Sequence, residues 1–193
     1  HYNFPAHFDG TLPSRELSGA RPKAAILREK GSNSERELAH ALYLAGFEVR
    51  DVYMTDLMSG RETLEDIRFL GAVGGFSNSD VLGSAKGWAG AFKYNEKARI
   101  ALENFNERAD TLSLGVCNGC QVMVELGLVY PDHDHQPKML HNESGKFESA
   151  FLNVDILENN SVMLGNMAGM KLGIWVAHGE GKFYLPLNEQ QYH

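Results

Sequence analysis

A short apolar run, Thr111-Leu112-Ser113-Leu114, closes on Gly115-Val116-Cys117-Asn118-Gly119 and, after Cys120, continues as Gln121-Val122-Met123-Val124-Glu125-Leu126. The pattern predicts a strand that stops and a helix that starts, with Cys117 at the joint. Such a turn forces its apex residue into strained φ/ψ and leaves no space for a Cβ on either side, a demand that Gly115 and Gly119 meet. The apex side chain is expected at the C-terminal edge of a sheet. The helix behind it would aim free amide hydrogens and a partial positive charge at the sulfur, which favours a reactive thiolate. Three plainer readings of the same residues stand beside this one. Cys117 could be a small buried hydrophobe, and with Cys120 it spells C-x-x-C, a redox pair or half of a zinc site. The zinc reading lacks a second cysteine pair, since the chain has two Cys in all. Thioredoxin-like motifs usually carry aromatic or Pro neighbours that are absent here.

The segments before this joint lead to the same architecture. Ala24 to Leu27 is a short apolar strand, and a helix is expected from about Ser34, where Ser34-x-x-Glu37 spells a capping box. That helix stops at Gly46 with Leu38, Leu42 and Ala45 on one face, and Phe47 to Met54 resumes as a strand. Strand, helix, strand is a βαβ unit and implies a parallel sheet. Arg28-Glu29-Lys30-Gly31 then falls at the C-terminal sheet edge, either a ligand position or a solvated charge run. Thr63 to Phe69 reads as a helix capped by Thr63 with Asp66 three residues on, feeding a strand near Leu70 to Val73. The following Gly74-Gly75-Phe76-Ser77-Asn78-Ser79-Asp80 is a second loop at the same edge as Cys117. Glycine lets a backbone amide turn toward a cleft, as an oxyanion hole requires, although a plain glycine turn has the same spelling. The candidate donors are the amide of Gly75 or Phe76 and that of Asn118. Asn95 to Arg108 has amphipathic helical spacing through Ala98, Ala101, Leu102 and Phe105.

Beyond the joint the signals are weaker. His133 and His135 sit among carboxylates in a Pro-flanked loop, where a polar loop is the default and no metal centre is assigned. Ala150, Leu152, Val154 and Ile156 alternate as one face of a strand. Leu172, Ile174 and Val176 mark another strand, which ends at Ala177-His178-Gly179-Glu180-Gly181. His178 and Glu180 could complete a Cys, His, Glu triad as base and orienting carboxylate.

At 193 residues with 43% hydrophobic and 22% charged residues, the chain has the composition of a soluble domain with a real core. A formal charge of −7 argues against a nucleic-acid or anionic-membrane surface. No apolar run approaches the roughly 20 residues needed to span a bilayer. Two cysteines and no signal peptide suggest the cytoplasm. The chain starts at His1 rather than Met, and residues 1–20 lack periodicity and read as a linker from a larger, upstream region.

G-x-C-x-G-x-Q resembles the nucleophile motif of the class I (triad-type) glutamine amidotransferases. The longer Leu114-Gly115-Val116-Cys117-Asn118-Gly119-Cys120-Gln121 resembles one branch, the glutaminase domain of phosphoribosylformylglycinamidine synthases. The branch motifs R-P-K-x-A-x-L-R-E-x-G at Arg21, G-G-F-S through Trp88-Ala89, and H-G-E-G at His178 occur in matching order. The resemblance implies a flavodoxin-like α/β domain over residues 21–193, with a mainly parallel sheet flanked by helices. It implies glutamine hydrolysis through a Cys117 thioester, with Gln121, Glu148, His178 and Gly179 around the substrate and Glu148 facing its amino group. The expected partners are glutamine and an upstream synthetase domain, which would hold the ATP and magnesium that this chain itself does not bind. The family's triad His and Glu lie in a later H-x-E segment, so the chain is expected to end before its own base. The branch reads Tyr-Gly where Asn78-Ser79 stand, which puts the loop conformation there in question. Rival expectations are another cysteine hydrolase, a DJ-1-like thiol protein, or a fragment that only binds glutamine or docks.

Overall fold

The computed structural model describes residues 19–192, so most of the expected linker lies outside the described residues. The chain divides into two compact units, one ending at Pro131 and the other running from Asp132 onward.

The first unit begins with strand β1 (Lys23–Arg28), whose Ala24, Ala25, Ile26 and Leu27 are all at most 2% exposed. A strand apolar on both faces belongs in the middle of a covered parallel sheet, and that is its place. A two-residue β2 (Ser32–Asn33) follows, then helix α1 (Glu35–Leu44) and strand β3 (Glu48–Tyr53). Next come α2 (Met54–Ser59), β4 (Ile67–Ala72), the two-residue β5 (Gly74–Gly75), α3 (Lys86–Tyr94), α4 (Glu96–Asn106), β6 (Leu112–Gly115) and α5 (Asn118–Glu125). Strands β1, β3, β4 and β6 form one parallel sheet in the order β3-β1-β4-β6. This is the flavodoxin-like order, in which the winding direction reverses between the first strand and β4 and a crevice opens at their C-terminal ends. The loops from those ends are stitched together, because β2 pairs antiparallel with β5 (Ser32 with Gly75, Asn33 with Gly74).

Helix α4 forms as its spacing predicts. Asn95 caps it by accepting the Ala98 amide at 3.0 Å, and Ala98, Ala101, Leu102 and Phe105 are the buried stripe. Two local expectations are corrected. Ser34 sits in a left-handed conformation (φ 73°) and its side chain caps nothing, so the capping box, which needs an extended N-cap, does not form. The helix expected over Thr63 to Phe69 is also absent. The helical turn comes earlier, at α2, where the Asp56 carboxylate accepts the Tyr53 amide at 2.9 Å and Gly60 (φ 80°) ends the helix. Glu62 holds the Thr63 and Leu64 amides, both at 2.9 Å, and Arg108 donates to the carbonyls of Leu64, Glu65 and Ile67. With those groups engaged, residues 63–66 stay irregular and β4 starts at Ile67.

The second unit is built of antiparallel pairs. Strand β7 (Lys138–Leu140) pairs with β10 (Lys182–Tyr184), and β8 (Glu148–Asp155) pairs along its length with β9 (Lys171–His178). Ala150, Val154 and Ile156 on the alternating face are half-buried, whereas Leu152 is exposed. No helix among the described residues is long and apolar enough to cross a membrane.

Candidate active site

Strand β6 delivers the chain to Cys117, which adopts φ 53° and ψ −110° and is the N-cap of α5. A Cβ on Gly115 would lie 2.6 Å from the Gly119 carbonyl oxygen, and one on Gly119 would lie 2.1 Å from that of Ala72 in β4. Only glycine lets strand and helix approach this closely, so the strain at Cys117 is over-determined by its neighbours. Gly74 faces the thiol from the adjoining loop: a Cβ there would sit 3.3 Å from the Cys117 Cβ and 3.9 Å from its Sγ. Cys117 is exposed, Cys120 is half-buried, and both are free thiols. Burial pushes the Cys120 thiol's pKa up, with the neighbouring Cys117 sulfur adding to the shift.

The glycine loop is held from two sides. The Phe76 amide donates to the Gly31 carbonyl at 3.0 Å, so Phe76 is not available as the oxyanion donor expected from sequence, and Gly75 (φ 104°) remains as that loop's candidate. Gly31 has its own steric reason, since a Cβ there would meet the Phe76 oxygen at 2.4 Å. On the other side, the fully buried Asn118 side chain accepts the Ser77 amide at 3.3 Å and donates to the Gln121 Oε1 at 2.9 Å. Sequence reasoning gave Asn118 only a backbone part; its side chain also ties the loop to α5. Gln121, 6% exposed, braces this joint through its Oε1. Asn78, Ser79 and Asp80 follow with φ of 52°, 56° and 50°, three successive left-handed residues without a glycine. At the end of β1, Arg28 forks onto Asp51 at 2.7 and 2.8 Å, and Glu29 accepts the Lys30 amide at 2.6 Å. Part of the charge run there is thus paired within the chain.

The remaining predicted residues belong to the second unit. Glu148 opens β8 and is exposed, opposite His178 at the end of β9. The His178 Nδ1 stands 2.9 Å from the Asn142 Oδ1, while Glu180 faces His141 at 3.9 Å. The carboxylate expected to orient His178 is therefore replaced at that nitrogen by a side-chain amide. Gly179 has room for a Cβ, whose nearest neighbour would be Phe147 at 3.8 Å, so its part is the carbonyl that accepts the Asn142 amide at 2.9 Å. Asn142 was not singled out from sequence, and the available signal was its place in the Met139 to Glu148 segment, which the resemblance puts beside the glutamine pocket. Among the described residues no three metal-ligating side chains cluster, and His133 lies against the Tyr192 ring at 5.5 Å.

The family model of the CobB/CobQ-like glutamine amidotransferase domain matches residues 21–193, spanning both units. The chain is 47% identical over 173 residues to the phosphoribosylformylglycinamidine synthase of Dictyostelium discoideum, covering 87% of this chain and 13% of that protein. It is 46% identical over 194 residues to the Homo sapiens protein of the same name, covering 93% of this chain and 14% of the relative. The chain thus spans about an eighth of the length of the curated relatives it matches. Among solved structures, a chain in the PurLQS structure from Thermotoga maritima is similar with a TM-score of 0.70 and 30% identity, over 88% of this chain and 72% of that one.

Proposed function

The chain belongs to the CobB/CobQ-like glutamine amidotransferase domain family, and from that premise we propose that it hydrolyses glutamine to supply ammonia to a phosphoribosylformylglycinamidine synthase. The observation that carries this reading is the exposed Cys117 on its strained elbow, with Gly74 against the sulfur, at the C-terminal edge of the parallel sheet. The Cys117 thiolate would attack the carboxamide carbon of glutamine. The C–N bond then breaks, the nitrogen takes a proton and leaves as ammonia, and water cleaves the glutamyl thioester to glutamate and free thiol. The amides of Asn118 and Gly75 would hold the developing oxyanion, each worth roughly 3 kcal/mol of barrier. The resemblance implies a histidine of a later H-x-E segment as the proton acceptor; His178 is the alternative that the residues themselves offer. In the whole synthase the ammonia would convert formylglycinamide ribonucleotide to its amidine with ATP and magnesium. Those groups would be held by the synthetase part, as the resemblance implies. Two free thiols suit a reducing compartment such as the cytoplasm.

The test is labelling with a glutamine-mimicking electrophile followed by peptide mapping. One label on Cys117, blocked by glutamine but not by esters or peptides, is expected. Cys120, whose burial disfavours its thiolate, should stay unlabelled. A label on Cys120, or protection by esters, would instead favour another thiol enzyme. Loss of ammonia release in His178→Ala with glutamine protection of Cys117 unchanged would assign the base to His178; retention would assign it elsewhere.

A further inference from the structure

Asn142 ties its backbone amide and both ends of its side chain to the loop that carries His178. Its backbone amide donates to the Gly179 carbonyl at 2.9 Å. Its Nδ2 donates to the carbonyls of His178 at 2.7 Å and Lys146 at 2.9 Å. Its Oδ1 accepts the Gly181 amide at 3.1 Å and stands 2.9 Å from the His178 Nδ1. The orientation of the side-chain amide is fixed by this set, because flipping it would turn NH2 toward an N–H and oxygen toward two carbonyls. The Oδ1 can only accept, so the neutral imidazole must carry its proton on Nδ1. The Nε2 lone pair is then left open, and among the described residues it has no hydrogen-bond partner. Gly181 completes the clamp from the side, since a Cβ there would lie 2.0 to 2.4 Å from the imidazole ring atoms. Any other residue at that position would push the ring out of its seat.

We propose that Asn142 is a positioning residue that locks His178 as the Nδ1–H tautomer. The ring thereby presents Nε2 as an acceptor for an N–H donor of an amino-acid ligand, and not as a cation for a carboxylate. The ligand half rests on the glutaminase reading above; the tautomer half does not. Side-chain nitrogen NMR of the 193-residue chain with labelled histidine tests both, the His178 signals being assigned by their loss in His178→Gln. Wild type is expected to show protonated Nδ1 and bare Nε2 in the neutral ring, the tautomer that free histidine disfavours. Asn142→Ala should revert to the common Nε2–H form. Asn142→Asp keeps an acceptor facing Nδ1 but turns its other oxygen toward the His178 and Lys146 carbonyls, so the folded variant should retain the Nδ1–H form at a cost in stability. The ionisable groups on the surrounding segments, His141, Glu143, Lys146, Glu148, Glu180 and Lys182, are unchanged between these variants. Fold integrity is read from the dispersion of the same spectra. If Asn142→Ala does not fold, the wild-type tautomer decides alone. An Nε2–H wild type, or an Nδ1–H form that survives in folded Asn142→Ala, overturns the lock. Glutamine should shift the Nε2 signal, and Asn142→Ala should weaken glutamine binding, read from the same titration, about tenfold, as loss of one such hydrogen bond implies. A lock that is present but blind to glutamine overturns the ligand half, and Cys117 labelling then shows whether the glutaminase reading falls with it.

Discussion

Three left-handed residues in a row is a conformation that L-amino acids resist at about 1 to 2 kcal/mol each, and Asn78, Ser79 and Asp80 hold it next to the loop that faces the thiol. The strain persists because the segment is held on both sides, by Phe76 on Gly31, Ser77 on Asn118 and the Asn78 amide on the Lys30 carbonyl at 2.7 Å before it, and by the Gly83 amide on the Asp80 carbonyl at 2.9 Å after it. Ser79→Gly should therefore raise stability, by up to about 1 kcal/mol after the extra freedom glycine gains in the unfolded chain. Urea denaturation measures this as a later midpoint with unchanged slope; an unchanged or earlier midpoint would show that the serine is not strained there. The departure at Asn78-Ser79 was visible in the sequence, but its consequence was not. A left-handed stretch without glycine has no local spelling and exists only because distant partners impose it.

Elements whose cause is local were legible, and those held from afar were not. The stripe of Ala98, Ala101, Leu102 and Phe105 and the paired Gly115 and Gly119 announced α4 and the elbow, because periodicity and steric need are both written in adjacent residues. The supposed helix at Thr63 to Phe69 failed for the opposite reason. Arg108, more than forty positions away, takes the carbonyls of Leu64, Glu65 and Ile67 that a helix would have used. Asn142 likewise acts on residues 36 and 39 positions away, which no window of sequence could reveal. The contacts of Arg108 imply that Arg108→Ala leaves partly buried carbonyls unpaired and costs about 1 to 3 kcal/mol. Arg108→Lys should recover little of it, since an ammonium lacks the planar fork that spans the three acceptors. Thermal unfolding of both variants measures the loss, and a lysine variant as stable as wild type would show that charge alone suffices.

In the first unit, one charge cluster sits at the end of the sheet away from the thiol. Asp66 lies between Lys23 at 2.6 Å and Arg50 at 3.0 Å, and these two cations hold its pKa down to about 2. Burial would push the neighbouring Glu62 upward, but the amide of Leu64, the Arg50 guanidinium and the amide of Thr63 together bring it below the usual carboxylate range. Both folded pKa values are depressed, so the stabilisation is complete above the unfolded value near 4 and is lost as pH falls toward 2. Asp66 is nearly half exposed, which reduces its share to about 1 kcal/mol. Asp66→Asn should thus be less stable than wild type at pH 7 by about that amount, with the gap closing by pH 2. Chemical denaturation across that range measures it, and a gap independent of pH would rule out the ionic origin. Lys23 opens its strand and Asp66 immediately precedes another, whereas Cys117 stands where a neighbouring strand ends. The footing of the sheet and its reactive rim are thus opposite poles of one slab, so the rim's residues can be exchanged to retune chemistry while the ground they stand on is left untouched.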